Sequence, residues 1–398
     1  MDLGFAEALL ALGLLLAVAA ALSGWLNATV LSISVVSVGA GVVLALFDVV
    51  EVSPSSKVVL YLVELALILT LFSDGLLVES ELLRRHWGPT ARALVLAMPI
   101  TLVLLALAGK ALFPELSWAE AFLLGAVLSP TDPVVTSAVV TSEHVPRTVR
   151  HTLNLESGLN DGLALPFVLF FLVLATAEGD AAAEAAQLAG EAVVGALIGV
   201  ALALVAGRLL ARLPGGRMEP KYEGAFALGL GLAAFGLADV TYGNGLIAAF
   251  VAGIALAAAR HDIPETFQEF NESLSAVFQI ATFFVFGALV VATDWEGSVW
   301  PILVFVAFAL LVARPAAVLL SFLGVDLPGP HKLFIAWFGP KGVASMLFAL
   351  FVLASTADDR TLIFDVAAYV VLASILAHGL TDTVGARWIQ RHLGPGKT

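Results

Sequence analysis

Apolar residues follow one another along this chain in blocks of about twenty, each ended by a short charged or Pro/Gly-rich break. About twenty apolar residues is the length a helix needs to cross a hydrocarbon core. The breaks divide the sequence into thirteen candidate helices: 4–22, 28–47, 57–74, 90–109, 119–141, 149–177, 183–211, 223–240, 243–260, 272–292, 299–323, 332–353 and 361–385. The least marked division lies between the eighth and ninth, where only GLADVTYGNG (236–245) interrupts the run. The pattern predicts an all-α polytopic membrane protein of about thirteen transmembrane helices with no soluble domain. Composition agrees, because 60% of the 398 residues are hydrophobic and 13% charged, against roughly 25% charged in soluble chains.

The basic residues test the count. Of the nineteen lysines and arginines, all but five fall on one side of the thirteen-span arrangement. Lys57, Lys110 and Arg360 fall on the other side, and Arg314 and Lys341 lie within spans. The opposite loops carry Glu115, Glu178, Asp180, Asp294, Glu296, Asp358 and Asp359 instead. Positive-inside sorting then predicts a cytoplasmic C-terminus and, with an odd number of spans, an external N-terminus. The first residues, MDLGFAEALL, lack the basic region of a secretory signal, so the first span is expected to remain in place. A net charge of −13 argues against nucleic-acid binding, and the absence of cysteine excludes disulfides and thiolate metal sites.

Four polar islands interrupt the apolar blocks: SPTDPVV (129–135), ESGLNDG (156–162), Arg314 followed by Pro315, and FGPKGVAS (338–345). Charge at membrane depth is costly and calls for a partner and a use. Pro130 and Pro133 each lack a backbone N–H and crowd the preceding turn, so the fifth span should open around Thr131 and Asp132, freeing carbonyls able to ligate a cation. Gly339, Pro340 and Gly342 around Lys341 repeat the device in the twelfth span. Two interrupted helices at corresponding places in two halves point to an inverted-repeat transporter. Half-helix ends leave uncompensated dipoles, positive at N-termini and negative at C-termini. Asp132 and Lys341 are expected to offset these. Arg314 needs a buried carboxylate; Glu156 is the expected partner, because that leaves Asp161 for a mobile ion.

On a helical wheel Ser157 and Asp161 lie about 40° apart, an i, i+4 pair, and Glu156 with Asn160 makes a second pair rotated by about 100°. The first stripe, a hydroxyl with a carboxylate, suits a dehydrated monovalent cation. The second, a carboxylate with an amide, suits anchoring Arg314 and the opened fifth span. Gly158 and Gly162 allow close helix approach. A carboxylate that holds either a proton or a cation, in a part that crosses only when the site is neutralised, yields exchange by competition alone.

The motifs PTDP (130–133), ESGLND (156–161), FFVFG (283–287), ARP (313–315) and GPKG (339–342) stand in the order of a known family. The chain resembles, over essentially its whole length, the NhaP-type branch of the monovalent cation:proton antiporters, relatives of the animal sodium/proton exchangers. That resemblance implies an NhaA/NhaP-like fold with two crossed interrupted helices, a homodimer in the lipid bilayer and elevator-like alternating access. The mobile ion-binding core would lie mainly in 90–177 and 299–385, and the dimerisation part mainly in 1–74 and 183–292. The implied ligands for Na⁺, or Li⁺ or K⁺, are Asp161, Glu156, Ser157, Asp132 and the main-chain carbonyl of Thr131, with Asn160, Arg314 and Lys341 in support. Asn160, where electrogenic relatives have an aspartate, implies electroneutral exchange with H⁺. No cofactor is expected, and the setting implied is a prokaryotic cytoplasmic membrane. Lys341 departs from the arginine common in the family, which leaves stoichiometry and pH profile open.

Other polar residues carry weaker expectations. Glu64 and Asp74, the latter taken as the end of the third span, read as packing or helix-terminus groups. His144 and His151 read as loop histidines, although either could sense pH. Asp239 and Asn244 could border an ion entrance. A K⁺/H⁺ antiporter, an organic-anion transporter of the same architecture and a cation channel are the competing readings. The carboxylates argue against the second, and a channel needs a continuous pore. An enzyme is not expected, because no nucleophile–base pair or metal cluster shows among the seven histidines.

Overall fold

The structure, a computed structural model, describes residues 5–26, 33–50, 52–53, 56–82, 87–132, 145–177, 179–212, 218–259, 265–292 and 298–392. Among them the regular structure is helical: α1 (Phe5–Leu26), α2 (Ile33–Leu46), α3 (Lys57–Leu82), α4 (87–112), α5 (Trp118–Val127), α6 (Arg147–Thr176), α7 (Ala181–Ala211), α8 (Glu223–Asp239), α9 (Gly245–Ala259), α10 (Glu265–Ala292), α11 (Val299–Ser321), α12 (Gly329–Trp337), α13 (Val343–Leu353) and α14 (Arg360–His392). Six helical stretches are long and apolar enough to cross a membrane unaided, and six shorter apolar helices accompany them. The faint break after Gly236 is a turn at Val240–Asn244, where the Asn244 side chain accepts from Ile247 N at 3.0 Å. Asn244 therefore starts α9 as its N-cap.

Close helix crossings come from small residues. A Cβ on Gly41 would stand 2.1 Å from the Phe284 carbonyl, and one on Gly287 2.2 Å from that of Val38, so the FFVFG motif is where α10 crosses α2. Gly75 and Gly253 bring α3 onto α9 in the same way, and Gly125 brings α5 onto α4. Such contact lets backbones meet where lipid supplies no hydrophobic drive for association.

Two helices carry a matching irregularity. α4 widens to π-helix at Ala93–Ala97 and α11 at Ala309–Ala313, in each case ending two residues before a proline, Pro99 and Pro315. A proline can neither donate to the carbonyl four residues back nor pack beside it, and a π-turn accommodates both demands. The π-turn of α4 packs on the Arg314–Ser321 segment of α11, and that of α11 packs on the Met98–Leu112 segment of α4. This reciprocity, in helices each directly preceding a broken span, is the internal symmetry anticipated from the two polar islands.

Candidate functional site

α5 stops at Val127, and Ser129–Asp132 continue as buried, non-helical chain. Pro133 and the remainder of the fifth span, like His144, lie outside the described residues. The twelfth span is interrupted between Trp337, the end of α12, and Val343, the start of α13. The two interruptions meet, with Asp132 N donating to the Pro340 carbonyl at 2.9 Å.

Each break supplies the charge that the other needs. The Lys341 ammonium donates to the carbonyls of Ser129 (3.1 Å) and Pro130 (3.0 Å), just past the C-terminus of α5. The Asp132 carboxylate accepts from Val343 N at 2.8 Å and caps the N-terminus of α13. A cation at a C-terminus and an anion at an N-terminus both oppose the local helix dipole. Asp132 thus caps a half-helix of the twelfth span. Gly342 makes room for it, since a Cβ there would fall 2.1 Å from Asp132 Oδ2. Lys341 is 1% exposed, which is tolerable because its ammonium is held by two backbone carbonyls.

α6 brings its two stripes against this crossing. Glu156 receives Arg314 bidentately, Nη1 to Oε1 at 2.6 Å and Nη2 to Oε2 at 3.1 Å. Arg314 Nη2 also lies 3.4 Å from the Ile335 carbonyl, near the C-terminus of α12. The guanidinium occupies the place where any side chain on Gly339 would stand. Asn160 Nδ2 donates to Thr131 Oγ1 at 2.7 Å, tying α6 to the opened fifth span. Thr131 Oγ1 is also 3.2 Å from Ser157 Oγ. Glu156 and Asn160 therefore hold the scaffold. Asp161, on the other stripe, is buried, and its Oδ1 has no hydrogen-bond partner among the described residues. Gly162 faces the ring of Phe250 on α9.

Asp74, which the sequence reads as a packing or helix-terminus group, is a fourth carboxylate near the crossing. α3 runs on to Leu82, so Asp74 stands inside the helix rather than at its end. Its Oδ2 is buried without a hydrogen-bond partner, and its charge acts on both Asp132 and Asp161. The signal was present as an acidic residue one position before a packing glycine, but ending the span at Asp74 hid it. Ser374 and His378 on α14 were also missed: Lys341 N donates to Ser374 Oγ at 2.8 Å, and His378 Nε2 reaches the Trp337 carbonyl at 2.9 Å. Glu64 neighbours Asp239 at the other end of α3, away from the crossing, and His151 lies in the first turns of α6. Among the described residues no three His, Asp or Glu side chains form a metal cage. The arrangement sets Asp161, buried with an uncommitted oxygen, beside hydroxyls and unwound backbone, with Asp74 as a second such carboxylate nearby, which is suited to a proton or a weakly held monovalent cation.

Comparison with known proteins agrees. The K(+)/H(+) antiporter NhaP of Alkalimonas amylolytica is 27% identical over 346 residues, covering 84% of this chain and 59% of that protein. The K(+)/H(+) antiporter NhaP2 of Shewanella sp. strain ANA-3 is 27% identical over 344 residues, 84% of this chain and 58% of its own. The chain thus spans less than two thirds of these relatives' length. The solved structure of the sodium proton antiporter MjNhaP1 from Methanocaldococcus jannaschii at pH 8 superposes with a TM-score of 0.76, covering 98% of this chain and 100% of that one at 22% identity, and so shares the fold. Residues 11–385 match the family described as sodium/hydrogen exchanger, transmembrane. The chain belongs to the sodium/hydrogen exchanger family, a family of exchangers rather than enzymes.

Proposed function

We propose that the protein is a secondary-active antiporter exchanging a monovalent cation, Na⁺ or Li⁺, for H⁺ at Asp161. The observation that carries the reading is the Asp161 carboxylate, buried at the crossing with Oδ1 uncommitted, while Glu156 is held by Arg314 and Asp132 by Val343 N. A proton and a cation compete for it, with Ser157, Asp132 and the Thr131 carbonyl as the other ligands and Asp74 facing the same space. Glu156, with both oxygens on Arg314, acts as scaffold in this reading. One titrating carboxylate beside the neutral Asn160 makes the exchange electroneutral. The unit that moves comprises mainly 90–177 and 299–385, in an elevator-like step against 1–74 and 183–292 of a homodimer. The protein sits in a prokaryotic cytoplasmic membrane with its N-terminus outside and C-terminus inside, and serves pH homeostasis. A second reading, K⁺/H⁺ exchange, is favoured by the names of the curated relatives.

Reconstituted vesicles carrying a pH gradient test the assignment against a panel of Na⁺, Li⁺ and K⁺. Cation-driven proton flux is expected in the native protein and its loss in Asp161→Asn, with the fold retained. Flux that persists in Asp161→Asn removes the carboxylate from the mechanism, and the cation giving flux at the lowest concentration decides between the two readings.

A further inference from the structure

The break in the twelfth span removes one particular hydrogen bond. Were α12 to continue, Lys341 N–H would donate to the carbonyl of Trp337, four residues back. In the structure neither group is orphaned: α14 takes the Lys341 N–H, and the Trp337 carbonyl accepts from Gly339 N at 2.9 Å as well as facing α14. Lys341 N donates to Ser374 Oγ at 2.8 Å, and the Trp337 carbonyl lies 2.9 Å from His378 Nε2. Ser374 and His378 are themselves one turn apart, with Ser374 Oγ 3.2 Å from His378 Nδ1. Nδ1 also sits 2.7 Å from the Ser374 carbonyl on its own helix. A carbonyl only accepts, and each ring nitrogen faces one, so a neutral imidazole can donate to only one of them; the tautomer taken below gives its proton from Nε2 to Trp337. Ser374 Oγ, already accepting from Lys341 N, then has its own proton free for Nδ1. Ser374 is 0%, Lys341 1% and His378 3% exposed, and Trp337 is half-buried. Water is therefore not at hand to replace the Ser374–Lys341 bond.

We propose that Ser374 and His378 are positioning residues for the exchange, forming a splice that stands in for the missing Trp337–Lys341 helix bond and fixes the spacing of the break. The consequence passes directly to the ion site. The Lys341 side chain holds the carbonyls of Ser129 and Pro130, the two residues before Thr131, whose own carbonyl is a ligand in the proposed function. The splice also explains why the interruption spans only Phe338–Gly342. Residues four apart on α14 lie about 6 Å apart along its axis, and they grip residues four apart on the twelfth span. This inference rests on the antiport reading for its transport readout but not for its structural one.

The test compares Ser374→Ala, His378→Leu, His378→Gln and the double variant Ser374→Ala/His378→Leu in reconstituted vesicles. Ser374→Ala and His378→Leu are each expected to raise the apparent KM for the cation about tenfold, as loss of one buried hydrogen bond would, with a smaller change in maximal rate. Glutamine places an N–H where Nε2 stands, so His378→Gln should stay within about twofold of the native KM. The double variant should be no worse than either single variant, because one splice is opened once. Native KM in Ser374→Ala and His378→Leu, a glutamine variant no better than leucine, or multiplied effects in the double variant would each overturn the proposal. Ser374→Ala removes only an oxygen and carries the test if the leucine variant does not fold. Hydrogen–deuterium exchange at the Lys341 amide is the second readout, expected to quicken in Ser374→Ala and not in His378→Gln. If native vesicles show no exchange, the antiport reading fails, and the amide measurement still decides the splice.

Discussion

The Arg314–Glu156 pair is the interaction most open to quantitative test. Its geometry is bidentate, at 2.6 and 3.1 Å, between side chains only 7% and 4% exposed. Removing one member of such a pair leaves the other charge buried without compensation, at a cost of about 3–5 kcal/mol. Arg314→Met keeps an apolar stem in the slot beside Gly339 and so limits the added loss from a cavity. At about 2–4 °C per kcal/mol the melting temperature should fall by on the order of ten degrees. Because the pair is dry, the fall should be nearly the same at low and high salt, unlike that of an exposed pair.

Replacing both charges changes the sign of the argument. Arg314→Met/Glu156→Leu abolishes the buried pair without orphaning either member, and such exchanges are often neutral or stabilising. The double variant should therefore melt well above Arg314→Met and near the native protein, giving a coupling energy of at least about 2 kcal/mol in the cycle. Thermal unfolding in detergent, followed by loss of the monodisperse species, supplies the four values at one fixed scan rate. A melting temperature of Arg314→Met equal to the native one, or a double variant no more stable than the single, would refute the scaffold role of Glu156. Cation affinity of the double variant gives an independent reading: a change much larger than the stability change would return Glu156 to the ion.

Two further outcomes follow from the same geometry. Gly342→Ala puts a methyl group 2.1 Å from Asp132 Oδ2 and 2.4 Å from its Cβ, displacing a carboxylate pinned to Val343 N. Exchange should fall about tenfold or more for a shift of that size, whereas Gly329→Ala, with nothing within 4 Å, should leave flux unchanged; equal rates in the two variants would exclude the cap from the mechanism. On the loop before α14, burial, together with Glu120, Glu115 and Asp358, holds the Asp359 carboxyl above its ordinary range. The folded state then binds this proton more tightly than the unfolded chain, so the group costs nothing while protonated in both states and destabilises as pH rises through the carboxylate range. Asp359→Asn should gain under about 1 kcal/mol at neutral pH, the group being partly exposed. The gain should fade as the pH falls toward about 4, and a gain independent of pH in a melting series would contradict the electrostatic cause.

Much of this architecture was legible because a helix in lipid must satisfy its own backbone within one contiguous segment. Among the described residues the expected stretches contain helix, and the weak break at Val240–Asn244 is real because Asn244 caps a new helix. The boundaries erred where helices outrun the apolar run: α3 passes Asp74 to reach Leu82, and α14 extends to His392. Charged residues beyond the hydrocarbon end a hydropathy signal without ending the hydrogen-bond ladder, and Asp74 was misjudged for that reason. The stripes of α6 were legible because their period is set by the helix itself. Ser374 and His378 were not, because they serve backbone groups of another span, and nothing local to their own sequence records that need.

The crossing adds a constraint that neither break implies alone. Lys341 belongs to the twelfth span and binds the fifth, while Asp132 belongs to the fifth and caps the twelfth. A displacement of either helix by more than an ångström or so would orphan a buried ammonium, a buried carboxylate and the helix ends they cover, each at several kcal/mol in a place without water. The paired backbone bond from Asp132 N to the Pro340 carbonyl would break with them. Alternating access by sliding one broken helix past the other would therefore pay these costs in every cycle. Carrying both together avoids them, and α6, tied to the fifth span through Asn160 and to α11 through Glu156, must travel with them. That is the physical ground for assigning the fifth, sixth, eleventh and twelfth spans to a single moving unit in the proposed transport cycle.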